Sequence, residues 1–189
     1  MHQSMSGIHP FHLLVRSCFD ELASVATQFV FAPECGGPRK LPLYPADRAR
    51  KGAAYCCVDG LGVRDHVVTL VVEIEERKVP KPAEVFGKFY PVAHSTHYIP
   101  SRNETPIPLS SANFIQIVST DKLERSGALG RGSTKPQQWA MIERDIQQTL
   151  SDLSSRFLSY RLFWGTENDF GLGGKQRDAL CTYLKTVLI

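Results

Sequence analysis

Three of the acidic side chains in one short stretch of sequence lie among residues that are otherwise suited to burial. The segment VDGLGVRDHVVTLVVEIEE contains Asp59, Glu73 and Glu75 among valine, leucine and isoleucine residues. Side chains along a strand alternate between the two faces of a sheet, so Glu73 and Glu75 share one face and Ile74 lies on the other. We therefore expect at least two carboxylates on the same side of one strand.

The residues around this acidic group predict a β-hairpin. The runs 53–63 and 67–75 are rich in Val, Tyr, Cys and Leu, and three polar residues separate them. Closing the turn at positions 64 and 68 puts Asp59 directly opposite Glu73. Closing it at positions 63 and 67 puts Asp59 diagonal to Glu73 on the same face. The second run is apolar on both faces, which is typical of a central strand.

Carboxylates that share one face repel one another and are costly to desolvate unless a cation lies between them. Mg²⁺ prefers oxygen ligands, and it can activate a water and stabilise charge on a phosphodiester. The pattern therefore predicts a Mg²⁺ site, which Mn²⁺ could also occupy, at Asp59, Glu73 and Glu75. The alternative is that Glu73, Glu75 and Glu76 mark a strand that runs out into solvent, with Asp59 as a turn residue beside Gly60.

The same segment resembles the signature of the PD-(D/E)xK restriction-endonuclease-like nucleases. Asp59 is followed by thirteen residues and then by Glu73-Ile74-Glu75 at the end of an apolar strand. The next segment, PKPAEVFGKF, resembles the proline break and helix that follow this strand in some members. The resemblance covers about residues 55–89, and the order helix, hairpin, helix, strand also fits. It implies a metal-dependent DNA endonuclease in which Asp59 and Glu73 hold the catalytic metal.

One position departs from that signature, because Glu75 stands where the family usually has lysine. Some restriction enzymes of the superfamily carry an ExE form, in which this glutamate could accept a proton from water or hold a second ion. Lys88, on the following helix, could replace the lysine in space, or it could be part of a solvated face. The superfamily often places another glutamate on the first helix. Glu21 is the candidate here, with an ordinary solvent-facing charge as the alternative.

Other constellations in the sequence predict no chemistry of their own. His94 and His97 lie three residues apart but have no third ligand close in sequence. Cys56 and Cys57 lack a recognisable histidine partner, and no GxSxG motif is present. The odd number of cysteines, five, without a CxxC pair predicts reduced thiols in a cytoplasmic protein, and residues 1–10 lack the features of a secretory signal.

Length and periodicity predict a single α/β domain over residues 1–189, with a central mixed β-sheet flanked by helices. Helices are expected at 11–31, 82–94, 136–153 and 175–188, and further strands at 113–118 and 160–164. Segment 35–51 reads as a basic surface loop and segment 126–134 as a flexible connection. No apolar run reaches the roughly 18 to 20 residues of a membrane-spanning helix.

The net charge of the chain and the two strands of duplex DNA suggest which binding partners to expect. The net charge of +3 allows an anionic partner, and two basic groups could contact DNA phosphates: Arg39, Lys40, Arg48, Arg50 and Lys51, and then Lys122, Arg125, Arg131 and Lys135. Because one acidic site serves one strand of a duplex, cutting both strands predicts a homodimer. Two alternatives remain open, namely a DNA-binding protein that keeps this fold without catalysis and a structural or interaction domain.

Overall fold

A mixed β-sheet with helices on both faces organises the chain. The computed structural model describes residues 8–23, 27–48, 53–76, 82–101, 103–121, 136–152 and 156–188. The helices are α1 Pro10–Asp20, α2 Pro82–Ala93, α3 Pro136–Asp152, α4 Glu167–Phe170 and α5 Lys175–Val187. The strands are β1 Gln28–Phe31, β2 Leu41–Tyr44, β3 Cys56–Val58, β4 Gly60–Arg64, β5 Val67–Glu75, β6 His97–Tyr98, β7 Ile107–Ser119 and β8 Phe157–Gly165. The α/β class with a central mixed sheet is therefore confirmed.

Strands β5 and β7 occupy the centre of the sheet. On one side, β5 pairs with β4 and β4 pairs with β1, both antiparallel. On the other side, β7 is parallel to β5 and to β8, and its first residues pair with β6, which continues to β2 and β3. The carboxyl ends of β5, β7 and β8 thus meet at one edge, and ligands of open α/β sheets bind at such an edge.

Two apolar cores hold the sheet between its helices. Val71 of β5 packs into the core under α2 and α3, while Leu70 and Val72 pack into the core under α1 and α5. All three side chains are almost completely buried. Burying an aliphatic side chain of this size contributes about 1.5 to 3 kcal/mol. Strand β5 is therefore a central strand covered on both faces, as its apolar run predicts.

The β4–β5 hairpin is confirmed, and a bulge sets its register. The turn closes at Arg64 and Val67, and the register shifts between Gly62 and Val63. Beyond this bulge Gly60 lies opposite Val72. The next residues outward are Asp59 and Glu73, so the hairpin brings these two carboxylates to neighbouring positions at the end of β5.

The expected long helix over 11–31 is wrong in its second half, which contains β1. The phenylalanines of β1 lie opposite glycines of β4, with Phe29 opposite Gly62 and Phe31 opposite Gly60. Aromatic residues fit a pleated surface, and the absence of a side chain on each glycine leaves room for the ring. Pairing with a distant strand therefore outweighs a local apolar spacing that happened to continue the helical period.

Several smaller elements also differ from expectation. Strand β2 lies inside the segment expected to be a basic loop, and the expected strand 53–63 is divided into β3 and β4 at Asp59. The expected flexible connection, 126–134, lies outside the described residues. Within the described ranges, no helix has both the length and the apolar character needed to cross a membrane.

Position 37, in the turn after β1, requires glycine because the backbone carbonyl of Phe31 lies too close to leave room for a side chain. Its N–H donates to the Ala32 carbonyl at 2.9 Å, and a Cβ at this position would lie 1.6 Å from the Phe31 carbonyl oxygen. We expect Gly37→Ala to lower the free energy of unfolding by about 2 kcal/mol or more, measured by urea denaturation. Gly87→Ala is the control, because nothing lies within 4 Å of its Cβ and alanine favours a helix by roughly 0.5 to 1 kcal/mol. Equal effects of the two substitutions would contradict the close approach.

Candidate metal centre

Asp59 occupies the one-residue break between β3 and β4, and hydrogen bonds hold it on three sides. Its backbone N–H donates to the Val72 carbonyl at 3.1 Å, and its own carbonyl accepts from Ala32 N–H at 2.9 Å. The side-chain Oδ2 accepts from Ile74 N–H at 2.7 Å. The Asp59 carboxylate is therefore held against the backbone at the carboxyl end of β5.

Glu73 is an acidic side chain buried inside the sheet, with only 3% of its surface exposed. Its Oε2 accepts a hydrogen bond from Lys88 Nζ at 3.2 Å. Its Oε1 is buried and has no hydrogen-bond partner among the described residues. Leaving a buried acceptor unsatisfied costs free energy, and more so when the group is charged. The centre thus contains a buried carboxylate oxygen without a described donor.

Burial favours the protonated form of these two neighbouring carboxyl groups. Burial and then the charge of Asp59 raise the pKa of Glu73 well above its ordinary value, although Lys88 opposes this rise. Burial also raises the pKa of Asp59, against the lowering effect of the Ile74 N–H and of Lys88. A cation bound between these two groups would compensate the charge of both carboxylates.

Helix α2 brings Lys88 to this pair. Its buried stripe of Val85, Phe89 and Val92 faces the sheet, and Lys88 lies beside that stripe with a side chain that is partly exposed. Burial would lower the pKa of Lys88, but the carboxylate of Glu73 outweighs it, so the pKa lies above its ordinary value. Lys88 is therefore a cation at neutral pH.

A cavity of about 520 Å³ opens beside these groups. This volume lies in the usual range for small-ligand sites. Its charged and titratable lining residues are Glu34, Asp59, Glu75, Glu76, Lys40, Lys88, His9, His12 and Cys57. Carboxylates outnumber lysines in this lining, so the cavity favours a cation or a cation-bound ligand. Glu75 therefore lines the space into which a ligand would enter.

Glu21, the other expected site residue, lies away from this cavity. It follows the last residue of α1, and its carboxylate accepts a hydrogen bond from the Arg177 side chain of α5. Arg177 also donates to Ser17 Oγ at 2.9 Å. Glu21 is not among the described residues that line the cavity, and its observed contact instead joins two helices.

The structure adds residues that the sequence did not single out. His12 Nδ1 lies 3.4 Å from Cys35 Sγ on the α1 side of the cavity. Burial, followed by the charge of His9, lowers the pKa of His12 to about 4, so this imidazole is neutral at physiological pH. One feature could have pointed to His12, which is that it lies within the buried stripe of α1, beside Phe11 and Val15. Cys35 had no comparable signal, because its 3₁₀ turn meets α1 only in the fold.

The remaining histidines and basic residues have separate places. His94 is exposed, and His97 Nδ1 lies 2.7 Å from Thr96 Oγ1. Neither belongs to a metal-type cluster of the described residues. Arg39 pairs with Glu104 at 2.8 Å. Lys40 lines the cavity and Arg48 is exposed, whereas the other members of the two basic groups lie outside the described ranges: Arg50, Lys51, Lys122, Arg125, Arg131 and Lys135.

Comparison with known proteins does not identify a relative. No family model matches the chain, and no curated protein or solved structure is significantly similar to it.

The raised pKa of Glu73 makes stability depend on pH in a predictable direction. A carboxyl group whose pKa is raised on folding contributes stability below its unfolded pKa, here about 4.5, and loses it as pH rises through the folded value. Glu73→Gln removes the titrating carboxyl group, and with it this loss of stability at higher pH. We expect the variant to gain free energy of unfolding relative to wild type, by on the order of 1 kcal/mol, as pH rises from about 5 to 8 in the presence of EDTA.

The matched control is Glu104→Gln on the surface. Arg39 lowers the pKa of Glu104, so the contribution of Glu104 to the pH dependence of stability has the opposite sign to that of Glu73. Glu104→Gln should therefore show no gain in free energy of unfolding as pH rises. Urea denaturation at several pH values measures all three proteins. A flat difference between Glu73→Gln and wild type would contradict a raised pKa of Glu73 in the folded protein.

Proposed function

We propose that this chain is a metal-dependent DNA endonuclease of the PD-(D/E)xK restriction-endonuclease-like class. The observation that carries the proposal is the state of Glu73. Its carboxylate is buried beside Asp59, one oxygen accepts from Lys88, and the other has no hydrogen-bond partner in the described chain. A buried carboxylate with one unsatisfied oxygen, beside a second, half-buried carboxylate, has the chemistry of a divalent cation site.

The donor set fits a hard cation. Asp59 and Glu73 would supply carboxylate oxygens, and Glu75, which lines the cavity, would be an auxiliary ligand or general base. Oxygen ligands of this kind favour Mg²⁺, with Mn²⁺ as a substitute. When bound, the ion would activate water and stabilise the charge that develops on a phosphodiester.

Lys88 would take the part of the lysine that the signature lacks at position 75. Its Nζ reaches Glu73 Oε2 from α2, and it lines the same cavity. Because its pKa is raised, Lys88 would act as a cation and hydrogen-bond donor that orients Glu73 and neutralises a phosphate oxygen. The role of proton acceptor would then fall to Glu75.

The connectivity of the fold supports the same proposal. The resemblance implies the order helix, hairpin, helix, strand, and the chain contains α1, the β4–β5 hairpin, α2 and β7 in that order. The acidic group also lies at the carboxyl end of β5. Such an edge is where open α/β sheets bind ligands. DNA is the proposed substrate, and a homodimer would supply one site for each strand.

Plasmid cleavage tests the proposal. We expect wild type to cleave supercoiled plasmid with Mg²⁺ or Mn²⁺ and not with EDTA. Asp59→Asn and Glu73→Ala should abolish cleavage because each removes a metal ligand. Lys88→Ala should lower the rate by roughly 10²- to 10³-fold, the usual effect of losing one charge-stabilising donor. Lys185→Ala, an exposed lysine of α5, is the matched control and should leave the rate unchanged.

The same assay separates the proposal from its alternatives. Cleavage by Glu73→Ala at the wild-type rate would contradict the ligand role. DNA affinity in Ca²⁺ without cleavage in Mg²⁺ would favour a DNA-binding protein that lacks catalysis. Absence of both metal binding and DNA affinity at low salt would favour an interaction domain.

A further inference from the structure

A second group of potential ligands lies on the α1 side of the cavity. A ring nitrogen of His12, Cys35 Sγ and an Asp59 carboxylate oxygen all lie within 4.8 Å of one another. We infer that His12, Cys35 and Asp59 form a second metal site, one that takes a borderline-soft divalent ion of the Zn²⁺ class. This inference goes beyond the proposed endonuclease function and shares only Asp59 with it.

The observed distances suit such an ion. Zinc lies about 2.3 Å from a cysteine sulfur and about 2.0 to 2.1 Å from a histidine nitrogen, so tetrahedral geometry separates these two ligand atoms by roughly 3.6 Å. His12 Nδ1 and Cys35 Sγ are 3.4 Å apart. The pair therefore needs only a small adjustment, and Asp59 would close the third side.

Backbone hydrogen bonds join the three elements that carry these ligands. Cys35 N–H donates to the Ala32 carbonyl at 3.0 Å, and Ala32 N–H donates to the Asp59 carbonyl at 2.9 Å. Arg16 of α1 donates through Nη1 to the Cys35 carbonyl at 2.9 Å, which ties the turn to the helix that bears His12. A site held in this way needs little ordering when an ion binds.

The ligand types distinguish this site from the oxygen site at Asp59 and Glu73. A thiolate and an imidazole select Zn²⁺ or Co²⁺ over Mg²⁺, which prefers oxygen. Cys35 is fully buried, whereas His12 and Asp59 line the cavity. Three protein ligands with a fourth position facing a cavity is the arrangement of catalytic zinc sites. The fourth position would take water, or the Glu34 carboxylate that lines the same cavity.

Cobalt(II) reports this site directly. The full-length, reduced and EDTA-treated protein is titrated with Co²⁺ and followed by absorbance. We expect one equivalent to bind with a thiolate-to-cobalt charge-transfer band, and Zn²⁺ to displace it. Cys35→Ser should abolish the band, and Cys56→Ser, which changes a free cysteine of β3, should retain it. His12→Gln should weaken binding by more than the roughly 10- to 100-fold typical of outer-shell changes.

The outcomes separate this inference from the endonuclease proposal. Absence of the band in wild type, or its persistence in Cys35→Ser, would overturn the second site whatever the plasmid assay shows. If circular dichroism shows that Cys35→Ser does not fold, His12→Gln decides, and unchanged cobalt affinity in that variant overturns the site. Glu73→Gln should keep the band, because Glu73 is not one of its ligands. An intact band without plasmid cleavage would support this site and contradict the endonuclease alone.

Discussion

The buried carboxylate of Glu73 is the constraint on which the rest of the site depends. A carboxylate removed from water costs several kcal/mol unless positive charge or hydrogen bonds compensate it. Here Lys88 covers one oxygen, and burial together with the charge of Asp59 raises the pKa of Glu73. The other oxygen of Glu73 has no hydrogen-bond partner among the described residues, and a cation is its natural partner.

The sheet determines which groups can meet there. Strand β5 is buried on both faces, so Glu73 cannot turn toward solvent without loss of the packing around it. The bulge at Thr69 of β5, which has no partner in the β4 register, brings Asp59 to the position next to Glu73. Because side chains alternate along a strand, a shift of one residue would carry the acidic side chains of β5 to the opposite face. The chemistry of the centre therefore depends on one irregularity in one hairpin.

Local patterns predicted the elements that carry their own signal, and missed those that depend on distant pairing. The apolar run of β5, the existence of the hairpin and the helix from Pro82 were all predictable, and they suffice to place Asp59 near Glu73. The exact turn was not, because it closes at Arg64 and Val67 rather than at either expected pair. Strand β1 was not predictable, because the glycines that accept its phenylalanines lie about thirty residues further along the chain. The meeting of His12 with Cys35 likewise requires α1 and a 3₁₀ turn to pack together.

The central claim, that Asp59 and Glu73 hold a divalent cation, is tested most directly by Mn²⁺ binding without nucleic acid. Electron paramagnetic resonance of free Mn²⁺ gives the bound fraction during a titration of wild type, Glu73→Gln and the surface control Glu104→Gln. If Asp59 and Glu73 hold the cation, we expect one strongly bound Mn²⁺ in wild type and in Glu104→Gln, and loss of that binding in Glu73→Gln. Equal binding by wild type and Glu73→Gln, or no binding by wild type, would contradict it.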